Sequence, residues 1–281
     1  MAVRLRQAAV EFDPRVPVRG EEFERLALST LRNHPENLPA WAALVEVSGI
    51  QGILKEAAQA AEILSKHGSS SQRGPDTVNA VRTLSRMAVE QKEWLAAQQF
   101  LDYLAGDDGQ VILSHTIDLM QLLGALYARS EDRKNHEWFC EQAIKRYKNS
   151  NDPQFLERAT KMYLALPPLP DSKLLPDAVA MARRTTELIG EAHPLITFMA
   201  LNRAMAEYRV GQYEEAQRWL EKSDRPQAIP FRAMVAHQLG NHGDAQEALE
   251  IAKKTLGHHA SHDHLFARLS LKEARELIEG R

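Results

Sequence analysis

The chain has 281 residues, of which 44% are apolar, 26% are charged and 6% are aromatic. This apolar content, together with a low net charge, excludes an intrinsically disordered protein and predicts a sizeable core. The 35 basic and 38 acidic residues leave a net charge of −3. That balance gives no electrostatic reason to expect binding to nucleic acid or to an anionic membrane.

Cysteine usage and the N-terminal segment bear on the compartment. The single cysteine, Cys140, excludes an internal disulfide and a four-cysteine zinc site. The first residues, MAVRLRQAAVEFDPRV, lack the apolar stretch of a secretory signal, and no later run reaches about 18 uncharged apolar residues. We therefore expect a cytoplasmic protein.

Apolar residues recur three and four positions apart along nearly the whole chain, for example at Leu84, Met87 and Ala88. This spacing indicates helices, and alternating runs of β-branched residues are missing, so the sequence predicts an all-α fold. Glycine, proline and N-capping residues predict five helix boundaries. These lie at 68–76, 105–109, 148–153, 167–176 and 223–230.

Loose helix–turn–helix units are expected before the clearest repeat. PAWAALVEVSGIQGILKEAAQAAEIL carries Trp41 and Ala57, and LSRMAVEQKEWLAAQQFLDYL carries Trp94 and Ala97. A third unit, LLGALYARSEDRKNHEWFCEQA, follows the same pattern of aromatic and small residues. We predict a single domain over 1–281, with loosely matching repeats in 1–110 and clearer repeats in 111–281.

The clearest repeat appears when the sequence is shifted by 29 residues. RAMAEYRVGQYEEAQRWLEK then aligns with RAMVAHQLGNHGDAQEALEI, and eight of the twenty positions are identical. Gly211 and Gly240 can take the left-handed conformation that ends a helix. Ala216 and Ala245 permit close approach of the second helix to the first. Each unit is therefore predicted to be two helices joined by a tight turn.

This pattern of small and aromatic residues in paired helices resembles the tetratricopeptide repeat (TPR) family. Three further segments resemble the TPR region at the C-terminal end of large bacterial serine/threonine protein kinases. They are DPQFLERATKMYLALP, the aligned pair above and the terminal LFARLSLKEARELIEG. The resemblance covers roughly the C-terminal half of the chain and departs from the TPR pattern at Arg203 and Arg232, where an apolar residue is usual.

The kinase resemblance does not imply kinase activity. Phosphoryl transfer needs a glycine-rich phosphate loop, a strand lysine, a catalytic-loop base and a metal-binding DFG segment. None of these strings occurs in the sequence. We therefore predict a non-enzymatic protein with no catalytic residue and no cofactor.

Two candidate chemical sites compete with simpler interpretations. His258, His259, His262 and His264 form the one metal-like cluster, but they follow the helix end predicted at Gly257 and lack a nearby HExxH glutamate. Cys140 lies four residues after His136, which would also fit core packing on the second helix of a repeat. We predict neither a metal site nor a nucleophile.

The repeats predict an α-solenoid, a right-handed superhelix of about six antiparallel helix pairs, ending in a capping helix near ARLSLKEARELI. Such an array presents a groove made mainly of first helices, which suits a peptide or partner helix. Placing each first helix relative to the alanine of its second helix predicts the groove residues. They are Arg82, Arg86, Arg129, Asn202, Met205, Arg209, Met234 and Gln238.

This predicted face carries more arginine than acid, which favours an acidic or mixed acidic–apolar peptide as the partner. Met205 and Met234 fit either groove contacts or plain packing. The sequence therefore predicts a protein–protein interaction module. Two alternatives are a regulatory repeat segment associated with a serine/threonine kinase and a homo-oligomeric scaffold.

Overall fold

The computed structural model describes residues 20–34, 37–42, 57–59, 61–62, 75–105, 117–256 and 262–280. All regular secondary structure in these residues is helical, which confirms the predicted all-α class. The chain divides into two compact units, residues 1–104 and 105–281. Each unit is described by itself, and the single domain over the whole chain stays a prediction.

The first unit contains three helices with described bounds. They are α1 (Gly20–Asn33), α2 (Pro75–Glu90) and α3 (Trp94–Ala105), and residues 38–42 and 57–59 are also helical. Leu84 and Phe100 are fully buried, one from each helix of the α2–α3 pair. The loose repeat predicted around Trp94 is therefore a helix pair.

The second unit contains four helix pairs and a terminal helix. The first helices of the pairs are α4 (Ile117–Arg129), α6 (Pro153–Leu164), α8 (Ile196–Arg209) and α10 (Ile229–Gln238). The second helices are α5 (Arg133–Tyr147), α7 (Leu175–Ile189), α9 (Tyr213–Glu221) and α11 (His242–Thr255). A short 3-10 turn, Pro226–Ala228, precedes α10, and the terminal helix is α12 (His262–Glu279).

Helix ends fall where capping chemistry places them. The Asp132 side chain accepts a hydrogen bond from the Asn135 amide at the start of α5, at 3.1 Å. Asp152 caps α6 in the same way, and Pro153 occupies the first turn, where no amide hydrogen is needed. Gly190 ends α7 with a φ of 70°. The predicted boundary at 148–153 is confirmed, since α6 begins at Pro153. The predicted boundary at 223–230 is also confirmed, since α9 ends at Glu221 and α10 begins at Ile229.

Four pairs share one tight turn. Gly211 and Gly240 have φ angles of 76° and 81°, as the repeat predicts, and Lys92 and Glu131 hold the same position with φ angles of 63° and 60°. In each turn the next amide donates to a carbonyl near the end of the first helix, as between Gln212 and the helix α8. Two turns thus adopt the left-handed conformation without glycine, which the sequence pattern did not reveal.

The proline-rich segment 165–174 connects α6 to α7, as expected for a loop between helices. The Ser172 side chain holds this loop against α6 and α5. Its hydroxyl oxygen lies 2.7 Å from the Tyr163 hydroxyl and donates to the Glu137 carboxylate at 2.5 Å. The segment is therefore engaged by its own chain.

Successive helices of the second unit pack on one another from α4 to α11. The first helices α4, α6, α8 and α10 also contact their neighbours, so they form one continuous surface, called here the first-helix layer. Helix pairs stacked in this way are the TPR-like solenoid that the sequence predicts.

Candidate partner-binding face

The terminal helix α12 lies across the first-helix layer. It contacts α4, α10 and the 3-10 turn as well as its sequence neighbour α11. A helix that only capped the end of the array would contact the last pair alone. The predicted capping helix therefore also covers the face that the sequence analysis assigned to a partner.

Arg209 joins α12 to the layer. Its guanidinium donates two hydrogen bonds to the Glu273 carboxylate, at 2.5 and 2.7 Å, and its Nε donates to the Leu164 carbonyl at the end of α6, at 3.0 Å. The Phe231 ring lies 5.5 Å from the guanidinium carbon. Because the Arg209 side chain is only 4% exposed, solvent and salt screen this bidentate pair little.

Met205 lies beneath α12. It lines a cavity together with Phe198 of α8 and with Phe266 and Ala267 of α12. The cavity volume is about 20 Å³, which leaves room for a single water molecule and none for a small organic ligand. Met205 is 3% exposed and Met234 is 0% exposed. Both predicted groove residues are therefore core residues in this structure.

An exposed ion pair lies at the other end of the contact. The Lys272 ammonium of α12 is 2.8 Å from the carboxylate of Glu131, in the turn after α4. The hydrogen bond from Lys272, reinforced by its charge, lowers the pKa of Glu131. Both side chains are more than half exposed, so salt should weaken this contact readily.

Asn202 has a structural environment. Its side-chain amide donates to the Thr160 hydroxyl at 2.8 Å, and that hydroxyl is within 2.8 Å of the Leu156 carbonyl. Asn202 is fully buried between α8 and α6. Its hydrogen bonds therefore join two first helices, and its contact with a partner stays a prediction.

Two of the predicted groove residues stay at the surface of the second unit. Arg129 is exposed at the end of α4, and Gln238 is exposed at the end of α10. The Gln238 side chain is hydrogen-bonded to Tyr208, whose pKa burial raises to about 12. These two residues mark accessible positions at the edge of the layer.

Arg82 and Arg86 lie in the first unit, on α2. Arg82 donates to the Asn79 side chain at 3.3 Å, and Arg86 lies 3.9 Å from the Glu90 carboxylate. Arg86 holds the same repeat position as Met205, yet its side chain is 68% exposed. The contribution of these two arginines to a partner face stays a prediction.

The His136–Cys140 pair is buried in the second unit. Cys140 Sγ lies 3.6 Å from His136 Nε2, which is 3.1 Å from the Met162 carbonyl. Burial lowers the pKa of His136 to about 4 and raises the pKa of the Cys140 thiol. A neutral imidazole and a protonated thiol, both inaccessible, fit core packing, because a cysteine nucleophile reacts as its thiolate.

The predicted histidine cluster lies at and beyond the edge of the described ranges. His258 and His259 lie outside the described ranges, as do the side chains of His262 and His264. Within the described ranges, no group of three or more histidine, cysteine or acidic residues could hold a metal ion. The absence of a metal at the cluster stays a prediction.

Sequence reasoning missed Phe266, Ser270 and Glu273, the α12 residues that meet the layer. They are spaced by four and three residues, so they share one face of a helix. That spacing was visible in LFARLSLKEARELIEG. The spacing alone does not show which helices α12 contacts, so it is equally compatible with a helix that only caps the array.

Comparisons with known proteins add little beyond this geometry. No family model matches the sequence, and no curated protein matches it. The chain is similar in structure to a tetratricopeptide repeat protein from Parabacteroides merdae, with a TM-score of 0.46 and 14% sequence identity over 88% of this chain and 90% of that one. None of the described helices is long and apolar enough to cross a membrane. The TPR-like solenoid fold follows from the helix pairs and turns described above.

Proposed function

We propose that the protein is an interaction module that binds an acidic–apolar segment of a partner protein on the first-helix layer. The observation that carries this proposal is the seating of α12, an amphipathic helix, on that layer. The Glu273 carboxylate of α12 binds Arg209. Phe266 and Ala267 of α12 line the same cavity as Met205. A surface that accepts one such helix has the shape and charge to accept another.

The predicted contact residues divide into two groups under this proposal. Arg209, Met205, Met234 and Asn202 form the buried floor of the layer, whereas Arg129 and Gln238 lie at its exposed edge. Arg82 and Arg86 belong to the first unit, and their contact with a partner stays a separate prediction. The kinase-associated and homo-oligomeric alternatives stay predictions, since no described contact favours either.

A site-specific photo-crosslinker tests the proposal in the producing cell. Replacing the exposed Gln238 with p-benzoylphenylalanine should capture partner proteins, because this position lies at the edge of the layer. Lys134 is the matched control, since it is also exposed but lies at the start of the second helix α5. Mass spectrometry should find peptides rich in acidic and apolar residues joined to position 238 alone. The same proteins captured from both positions would contradict the proposal.

A further inference from the structure

The terminal helix α12 carries a pattern that matches the surface beneath it. Phe266 and Ser270 line the small cavity with residues of α6, α8 and α10, and Glu273 binds Arg209. One helix face thus presents an aromatic residue, a small residue four positions later and an acid three positions after that. The first two meet the layer at the cavity, and the acid meets it at Arg209.

We infer that α12 is a displaceable internal ligand, and that the partner segment is a helix with the same aromatic, small and acidic spacing. The inference rests on the proposed function, because it names the occupant of the same face. In the resting chain α12 blocks the layer, and a partner binds by replacing it. The partner's carboxylate then takes the two hydrogen bonds that Arg209 now gives to Glu273.

The array does not need α12 to stay connected. Contacts between consecutive helices run from α4 through α11 without it. Because those contacts do not involve α12, it can leave without breaking the connection between any two helices of the stack. Arg209 would also keep its hydrogen bond to the Leu164 carbonyl, so the anchor stays oriented for a new carboxylate.

The contacts that hold α12 are of a kind that a partner can replace. The Lys272–Glu131 pair is exposed and sensitive to salt. The packing around Phe266 leaves the cavity described above, and a cavity forfeits part of the dispersion attraction of close packing. A partner cannot bind while an internal ligand of this type covers the face. The apparent association constant is therefore the intrinsic constant multiplied by the fraction of time that the face is open.

Native-state hydrogen exchange on the full chain tests whether α12 opens alone. Its amides should exchange at least about 100-fold faster than those of the central helix α8, since α12 opens without global unfolding. Equal exchange rates in the two helices would overturn the inference. This measurement needs no variant, so it stands even if substitutions in α12 impair folding.

A synthetic peptide of residues 262–280 tests whether the layer accepts a helix from outside. It should bind Glu273→Ala protein at least about tenfold more tightly than wild-type protein, because that variant loosens the internal α12 while the peptide keeps its own carboxylate. Glu276→Ala is the matched control, since Glu276 is exposed on the same helix. The same peptide carrying Glu273→Ala should lose the advantage.

A covalent crosslink that holds α12 in place gives an independent test of the inference. A carbodiimide reagent can join the Lys272 amine to the Glu131 carboxylate, which are 2.8 Å apart. Lys253→Arg protein locked in this way should not bind the peptide, whereas Lys253→Arg, Lys272→Arg protein given the same treatment should retain its binding. The change at Lys253 is needed because its amine lies 2.5 Å from the Glu279 carboxylate of α12 and would form a second crosslink. Arginine keeps the charge but does not form this amide. Peptide bound equally by locked and unlocked protein would overturn the inference.

The two proposals fail in different ways. If α12 exchanges no faster than α8, the inference that α12 is displaceable is wrong. Crosslinking from position 238 still decides whether partners bind this face. If α12 exchanges fast but Glu273→Ala protein does not bind the peptide, the layer takes no external helix. That outcome would overturn the inferred partner, and crosslinking from position 238 would then decide the proposed function by itself.

Discussion

The two aligned helix pairs, α8–α9 and α10–α11, have the same backbone turn and different side-chain contacts. Gly211 and Gly240 adopt nearly the same left-handed φ. In each pair, a ring near the end of the first helix contacts the ring of the first residue of the second helix, at aligned positions. Tyr208 and Tyr213 have centroids 5.7 Å apart in the first pair, and His237 and His242 have centroids 5.0 Å apart in the second.

The identical arginines of these pairs do different things. Arg203 lies 2.6 Å from the buried Glu207 carboxylate, and its guanidinium is 5.5 Å from the Trp219 ring. Arg232 instead donates to the carbonyls of Leu220 and Ser223, at the end of α9. The second pair has alanine at the positions aligned with Glu207 and Trp219. A repeat position therefore determines where a side chain starts, and its variable neighbours determine what it binds.

The largest test of this difference is Glu207→Ala. Glu207 is 1% exposed and binds Arg183 as well as Arg203, so its removal leaves the mostly buried Arg203 without a counter-charge. We expect a loss of about 3 kcal/mol in the free energy of unfolding. Urea denaturation measures it, and Glu221→Ala, at an exposed position of α9, is the control. A variant as stable as wild type would show that the pair contributes nothing net.

Overpacking tests what the pairs have in common. Ala216 and Ala245 are both fully buried at the aligned position of the second helix. We expect Ala216→Phe and Ala245→Phe each to lower the free energy of unfolding by about 1–3 kcal/mol. Thermal and urea denaturation of the two variants can be compared directly. Tolerance of phenylalanine at either position would show that the two alanines are not equivalent.

The shared turn gives predictions of opposite sign. A Cβ at Gly211 would meet no atom within 4 Å, so Gly211→Ala should lose only backbone energy, about 1–2 kcal/mol. Lys92 occupies the same left-handed position in the first unit, and Lys92→Gly should not carry that strain. We expect its melting temperature to equal or exceed that of wild type. A clear decrease for Lys92→Gly would show that its side chain compensates for the strain.

Arg232→Ala should have a smaller effect than these. It removes part-buried hydrogen bonds to the carbonyls at the end of α9, made by a residue that is itself exposed to solvent. Water can replace the arginine there, so we expect a loss of about 1 kcal/mol. Hydrogen exchange should locate the change at the end of α9. An equal loss for Arg232→Ala and Glu207→Ala would remove the contrast between the two arginines.

The smallest expected effect is on pH dependence. Burial alone would raise the pKa of Glu207, but hydrogen bonding and charge from Arg183 and Arg203 outweigh burial and lower it. The unfolded chain therefore takes up this proton first as the pH falls below about 4.5, and stability is lost down to the folded pKa. Glu207→Gln should lose less stability than wild type over this range. Identical pH profiles would contradict the lowered pKa.

Much of the fold could be predicted because it depends on local signals. Helical spacing, proline at a first turn and the glycines of the clearest repeat act within one or two turns of helix. The turns at Lys92 and Glu131 escaped prediction, because a non-glycine residue in the left-handed conformation has no sequence signature of its own.

The candidate face was predicted only in part. Repeat register placed Met205, Arg209 and Met234 at related positions, and the structure locates all three within or beside the first-helix layer. Register could not reveal that Met205 and Arg209 are buried beneath α12, because that helix lies far along the chain. Arg86 holds the same register as Met205 and stays exposed on α2.

The sequence by itself determined an all-α chain of helix pairs, because apolar spacing and turn residues act over short distances. The tertiary structure decided which helix covers the first-helix layer and which acid binds Arg209. Glu273 is 64 residues from that arginine, and a carboxylate on a helix surface carries no mark of its distant partner. Long-range pairing of this kind depends on how the helices stack, so it could be established only once the stack was known.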